Sequence, residues 1–336
     1  MGKNKFKILS IIISILMLFS VSACDYAVNG NGGAQPQTEY CTVTLIYNNG
    51  YSPYTTSVEK GTTFSTPKDP YKNNYIFEGW YTESSFIYKY DFSTPVTENI
   101  TLHAKFTLNG TAITNKISTD LIKGVVKVYN KSYNTFLGFT TSWEEGQGSG
   151  FCFYAGGGKY YILTNCHVAK KKSGYDKQEL TVEDYQGNQY KAKIFYGKDK
   201  PSSAIDNTYD LACLYFETSS TNIKALTMAN VNPGIAEDVI TLGAPKGQTN
   251  SITIGKTKSY NTITLTDPTY LSDVTFPVIT YLAPSNNSTS GTSGGPLLNA
   301  NLLVVGVHYA GSSSSNTKYA IPIEKVREFL NKYVYA

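Results

Sequence analysis

Histidine is scarce in this chain: three among 336 residues. Cysteine and methionine are scarce too, at five and three, and charged residues make up only 16%. Each shortage excludes something. No group of Cys, His, Asp and Glu falls at zinc-ligand spacing, so neither a metal nor another cofactor is expected. One long apolar stretch occurs, from Ile8 to Val21, and it is short for a bilayer span. The formal charge is +4, but Lys3, Lys5 and Lys7 precede that stretch, and without residues 1–23 the balance falls to +1. The charge therefore gives no argument for nucleic-acid binding.

What is present at the N-terminus is a signal-peptide pattern, with lysines ahead of an apolar core. It ends in Val21-Ser22-Ala23-Cys24, which resembles a bacterial lipobox, where small residues precede a cysteine that is acylated and becomes the new N-terminus. That resemblance implies a lipid on Cys24 and an extracytoplasmic protein tethered to the outer face of a bacterial cell membrane. The alternative is a secretory signal with an incidental cysteine. Residues 24–39, rich in Gly, Asn and Gln, are expected as a flexible linker.

Beyond the linker the composition is that of β-structure. Aromatics make up 13%, with 28 tyrosines, and Val, Ile and Thr occur in short runs punctuated by turn residues. Strands are expected at 148–154 and 159–165 around the turn Ala155-Gly156-Gly157-Gly158, and near 124–130, 189–196, 211–216, 238–242, 251–255, 261–265, 277–282 and 302–308. One segment differs: Ile323, Val326, Phe329 and Leu330 share a helical face.

Gly291-Thr292-Ser293-Gly294-Gly295-Pro296-Leu297-Leu298 places a serine in a run of small residues ahead of an apolar strand. A hydroxyl attacks carbonyls only with a base to take its proton, a carboxylate to orient that base, and N–H groups to hold the oxyanion. Thr164-Asn165-Cys166-His167-Val168 ends one apolar strand in a histidine, and Tyr209-Asp210-Leu211-Ala212-Cys213-Leu214 puts an aspartate at the mouth of another. Asp206 is a rival carboxylate, but Asp210 directly abuts the run that would bury it. The order His, Asp, Ser separates this arrangement from other serine-hydrolase folds. The three motifs resemble those of the trypsin-like peptidase superfamily over residues 118–336. The resemblance implies a mainly β, chymotrypsin-like double antiparallel barrel closed by a C-terminal helix. It also implies Ser293 as nucleophile, His167 as general base, Asp210 as its orienting carboxylate, and the N–H groups of Gly291 and Ser293 as the oxyanion hole.

Two departures are informative. Digestive members carry an aspartate before the serine that pairs with a new N-terminus after cleavage; here Thr292 stands there, as in bacterial HtrA/Deg peptidases. Tyr319-Ala320-Ile321-Pro322 is HtrA-like as well, although regulation through the PDZ domain usual there is not expected. In the strand walling the specificity pocket, His308 matches the histidine with which glutamyl endopeptidases contact an acidic side chain, and protonation would strengthen that contact. Tyr309, Ala310 and Gly311 continue the wall, and Asn287 offers no carboxylate for a Lys or Arg substrate. A preference for acidic, or failing that small apolar, residues before the scissile bond is expected. The plainer reading is that His308 packs in the strand.

Residues 40–107 form a separate unit. The Asn48-Asn49-Gly50 turn, Pro67-Lys68-Asp69-Pro70-Tyr71, Phe77-Glu78-Gly79-Trp80-Tyr81-Thr82 and the segment 90–106 resemble the Listeria–Bacteroides (internalin-B-type) repeat, a small β-grasp-like module. It carries no catalytic cluster and either spaces the peptidase outward or binds a surface ligand. Residues 108–117 are expected as a linker. Cys152, Cys166 and Cys213 sit in apolar strands and are favoured as free thiols, with a Cys152–Cys166 bridge the alternative. The expected function is a lipid-anchored serine endopeptidase acting on protein or peptide; the alternatives are a surface-binding protein with an inactive peptidase-like domain, and an esterase on the same barrel.

Overall fold

The computed structural model describes residues 37–219, 222–244, 251–265, 274–284, 291–311 and 315–335. Cys24 and Asn287 lie outside the described residues. The first unit is a four-stranded sheet of β1 (Tyr40–Ile46), β2 (Tyr54–Glu59), β3 (Tyr75–Tyr81) and β4 (Ile100–Leu108), in the order β2-β1-β4-β3. Its central pair, β1 and β4, is parallel, a β-grasp-like arrangement, and no helix lies between β2 and β3. Alternation does the packing: Cys41, Val43 and Leu45 of β1 and Leu102 and Ala104 of β4 meet Trp80 on one face.

The segment expected as a linker is instead helical. α1 (Gly110–Thr119) is capped by Asn109, whose side chain accepts from the Ala112 N–H at 3.1 Å. Ile113 and Ile117 lie one turn apart and are buried in the core between the two barrels. After a short 3-10 turn at Leu121–Gly124 come β5 (Val125–Phe136), β6 (Phe139–Gly156), β7 (Lys159–Thr164), the single helical turn α2 (Cys166–Ala169), β8 (Lys177–Glu183), β9 (Gln189–Ile194), β10 (Ile205–Asp206) and β11 (Leu211–Glu217). Their order is β10-β11-β7-β6-β5-β8-β9, and a pairing of β11 with β9 closes six of them into a barrel.

The second barrel comprises β12 (Asp238–Gly243), β13 (Ser251–Leu265), β14 (Val274–Leu282), β15 (Pro296–Asn299), β16 (Val304–Gly311) and β17 (Thr317–Pro322), closed in the order β12-β13-β14-β17-β16-β15. The two strands expected at 251–255 and 261–265 are one, irregular between Thr257 and Ser259. The chain closes with α3 (Ile323–Tyr333), which buries Ile323, Val326, Phe329, Leu330 and Tyr333. The double β-barrel with a closing helix agrees with the expected architecture. Cys41, Cys152, Cys166 and Cys213 are buried free thiols.

Candidate active site

The turn after β7 delivers His167, and the residue before β11 delivers Asp210. Asp210 is fully buried and has φ +48°, the left-handed region that a residue with a Cβ rarely occupies. Hydrogen bonds hold it there. Its carbonyl accepts from the Cys166 N–H at 3.0 Å and from Asn165 Nδ2 at 3.1 Å, and its own N–H donates to the Asn207 carbonyl at 3.1 Å. The carboxylate clasps the histidine at two points. Oδ1 accepts the His167 backbone N–H at 2.9 Å, and Oδ2 lies 2.8 Å from His167 Nδ1. Asp206, the rival, is engaged elsewhere: it accepts from Thr208 and from Tyr333 and Lys332 of α3. The imidazole remains partly open to solvent and meets the Tyr309 ring edge-on at 5.6 Å.

Ser293 rides on a turn that only glycine can make. Gly294 has φ +91°, and a Cβ there would collide with the Ser149 carbonyl and the Thr164 hydroxyl; one on Gly295 would collide with the Leu242 carbonyl. Such close approach lets β6 of the first barrel grip the turn from the second. The Ser149 N–H donates to the Ser293 carbonyl at 2.7 Å. Its hydroxyl donates to the Gly291 carbonyl at 2.6 Å and accepts the Ala244 N–H at 2.8 Å. The far side is pinned to β16, where the Gly294 N–H donates to the His308 carbonyl and the His308 N–H to the Gly295 carbonyl, both at 2.8 Å. Ser293 Oγ donates to the Tyr309 carbonyl at 2.9 Å. Among the described residues, the N–H groups of Gly291 and Ser293 donate to no backbone acceptor. Ser149 is a fully buried tie between barrels that sequence reasoning missed; its only signal was a polar residue inside a strand.

The pocket wall corrects one expectation. His308 is buried, with Nδ1 2.8 Å from Tyr281 Oη, which in turn lies 2.6 Å from Thr241 Oγ1. Burial, reinforced by Lys318 and His167, pushes its pKa down to about 3. The ring stays neutral at ordinary pH, so the expected strengthening by protonation does not occur. His308 lines a hollow with Thr292, Thr253, Tyr281 and Lys318. Lys318 is a second residue that sequence reasoning missed. Its signal was parity: in β17 it shares the inward face with Ala320. Tyr309, Ala310 and Gly311 form the end of β16 as it runs out of the core, past an irregularity between His308 and Ala310. No cluster of three or more His, Cys, Asp and Glu side chains able to hold a metal occurs among the described residues.

Comparison with known proteins agrees with the motif resemblances. Residues 148–307 match the family model described as a trypsin-like peptidase domain, and residues 42–105 that of the Listeria-Bacteroides repeat domain. The serine protease Do-like HtrA of Bacillus subtilis is 28% identical over 216 residues, covering 61% of this chain and 44% of that protein. The mitochondrial serine protease HTRA2 of Bos taurus is 29% identical over 189 residues, covering 55% of this chain and 36% of that protein. The chain thus spans less than half the length of these relatives. The crystal structure of the active form of the Rv3671c protease from M. tuberculosis superposes with a TM-score of 0.51 at 21% identity, covering 67% of this chain and 87% of that one. At that identity the likeness establishes a common fold.

Proposed function

We propose that this chain, which carries a trypsin-like peptidase domain behind a Listeria-Bacteroides repeat, is an exported, lipid-anchored serine endopeptidase. The observation that carries the reading is the two-point clasp of Asp210 on His167, in a fold whose second barrel presents Ser293 on its glycine turn. Asp210 keeps the proton of the neutral imidazole on Nδ1, leaving Nε2 as a base. Ser293 Oγ, which rests against the Tyr309 carbonyl, turns its proton toward His167 as it attacks the substrate carbonyl. The N–H groups of Gly291 and Ser293 receive the oxyanion, each worth roughly 3–4 kcal/mol in comparable enzymes. His167 then protonates the leaving amine, and water repeats the sequence in reverse to release the acyl group.

The finer reading is a preference for an acidic residue before the scissile bond. With the Tyr281 hydroxyl donating to Nδ1, the neutral His308 ring carries its proton on Nε2 and serves as a hydrogen-bond donor. Thr292 in place of an aspartate removes the ion pair that a newly cut N-terminus would make, so activation does not depend on one. Cys24 carries the lipid, and the repeat holds the peptidase away from the membrane or engages a surface ligand.

Fluorophosphonate labelling of the full chain tests the central claim. Wild type is expected to label and Ser293→Ala not to; an unlabelled wild type sinks the peptidase reading. Cleavage of peptides ending in Glu, Arg or Val at the scissile bond tests the preference, and dominant Arg cleavage would refute it. In cells, incorporation of labelled palmitate should disappear in Cys24→Ala.

A further inference from the structure

Among the described residues, three buried side-chain atoms lack a hydrogen-bond partner, on Trp80, Asn165 and Lys318. Only Lys318 carries a charge. The residue is 1% exposed, and among the described residues no acidic one lines the hollow that it shares with His308 and Thr292. A lone ammonium out of water is among the most costly arrangements a fold can keep. Nothing in the packing of β17 requires it, because a methionine has similar volume and no charge. The cost makes sense if a ligand supplies the missing counter-charge.

The position says which ligand. Lys318 is opposite Tyr281 on β14 and Gly311 on β16, within the sheet of the second barrel, and it lines one hollow with Thr292. Thr292, in the same hollow, is adjacent to Ser293 in the chain, and the His308 carbonyl is bonded to the Gly294 N–H. A group in this hollow therefore lies within one residue of the attacking serine along the chain. His308 is neutral and offers a hydrogen bond but no charge, while the hydroxyls of Thr253 and Thr292 offer more polar partners.

Resting on the peptidase reading above, we propose that Lys318 determines specificity: its ammonium pairs with the side-chain carboxylate of a glutamate or aspartate preceding the scissile bond. The hollow itself measures about 10 Å³, room for one water-sized group, so the carboxylate enters by shifting the flexible lysine stem. Burial lowers the lysine's pKa from its ordinary value, and an arriving carboxylate raises it again. The charge is then fixed in the pocket when an acidic side chain binds and weakened when a neutral one does.

The test uses full-length protein and peptides that differ only in Glu, Gln or Leu before the scissile bond. In Lys318→Met the ratio of kcat/KM for Glu over Gln should fall about 100-fold, because one partner of a buried ion pair is gone. Lys318→Gln, which keeps a polar tip without charge, should behave alike. A ratio unmoved in both variants overturns the proposal. A second arm needs no turnover: calorimetry on Ser293→Ala with product peptides ending in Glu or Gln. Preference for Glu should be present there and absent in the Ser293→Ala, Lys318→Met protein; equal affinity for both peptides in Ser293→Ala overturns it. Fluorophosphonate labelling separates the two claims. Labelling without acid preference refutes only the role of Lys318, whereas acid-selective binding without labelling refutes only the peptidase. The melting temperature of Lys318→Met should not fall, since the variant removes an uncompensated charge.

Discussion

Asp210 holds a left-handed conformation that costs a non-glycine residue about 1–2 kcal/mol, and its reward is the aim of both carboxylate oxygens at one histidine. Asparagine tolerates that backbone, so Asp210→Asn should fold with nearly the wild-type melting temperature. Its amide, however, presents an N–H to Nδ1 and selects the wrong tautomer, and kcat should fall about 10⁴-fold. Peptide hydrolysis measured beside the melting curve checks both halves, and an unchanged kcat would remove Asp210 from the catalytic group. His308 makes a prediction of the other kind, in stability. Its pKa falls from 6.5 in the unfolded chain to about 3 in the native state. Between those values the unfolded chain binds a proton at this site and the native state does not. The contribution is fully present above pH 6.5 and is lost as the pH drops, by about 1.4 kcal/mol per unit. Urea unfolding at pH 7.5 and pH 5 should therefore show wild type losing about 2 kcal/mol more than His308→Gln, which has nothing to titrate. An equal loss in both proteins would mean that His308 is not held neutral.

At the scale of elements, the helix α1 is part of the core between the two barrels. Ile117 is fully buried there, and Ile117→Ala should cost about 2–5 kcal/mol of stability in chemical unfolding, with fluorophosphonate labelling retained below the transition. A loss under about 0.5 kcal/mol, the range of surface changes, would return the segment to the status of a linker. That helix also shows why part of the fold escapes the sequence. Its apolar content is essentially two isoleucines one turn apart, under an asparagine cap, in a run otherwise polar enough for a tether. β8 hides for a similar reason: in Lys177–Glu183 only Leu180 and Val182 are apolar, so alternation has too few points to register. β13 was expected as two strands because Lys256 to Tyr260 is polar, yet it continues through the irregularity at Thr257 and Ser259. By contrast β7, β11 and α3 were legible, since each buries nearly every residue its periodicity points inward. The candidate site divides along the same line. His167, Asp210 and Ser293 stand in local motifs with chemistry attached. Ser149 is placed by the turn that folding brings against it from the other barrel, and Lys318 by a hollow with no acid among its described lining residues; a polar residue in a strand and strand parity are their only local traces.

At the scale of the whole molecule, the repeat sits against the second barrel through a few polar contacts. Tyr75 donates to Asp238 Oδ2 at 3.0 Å, while Lys256 holds Oδ1 of the same carboxylate at 2.6 Å. Asn74 Nδ2 donates to the Ala300 carbonyl at 2.7 Å, and Asn73 bonds Asn301 at 3.1 Å. Burial and the neighbouring Asp238 push the Tyr75 phenol well up, so it remains a donor across the accessible pH range. Each such bond contributes about 1 kcal/mol, and polar interfaces of this kind release readily. The Asn109 N–H also bonds the Asn74 carbonyl, which ties the docking to the entry of α1. Removing two of the contacts should therefore free the repeat without touching His167, Asp210 or Ser293. In the Asn74→Ala, Tyr75→Phe protein, the radius of gyration from solution scattering should increase, and limited proteolysis should cut sooner near Asn109. The rate of fluorophosphonate labelling at Ser293 should stay at the wild-type value, because none of these contacts reaches His167, Asp210 or the glycine turn. An unchanged scattering profile would mean that these bonds do not hold the repeat in place. Slower labelling would mean instead that the repeat supports the candidate site through α1.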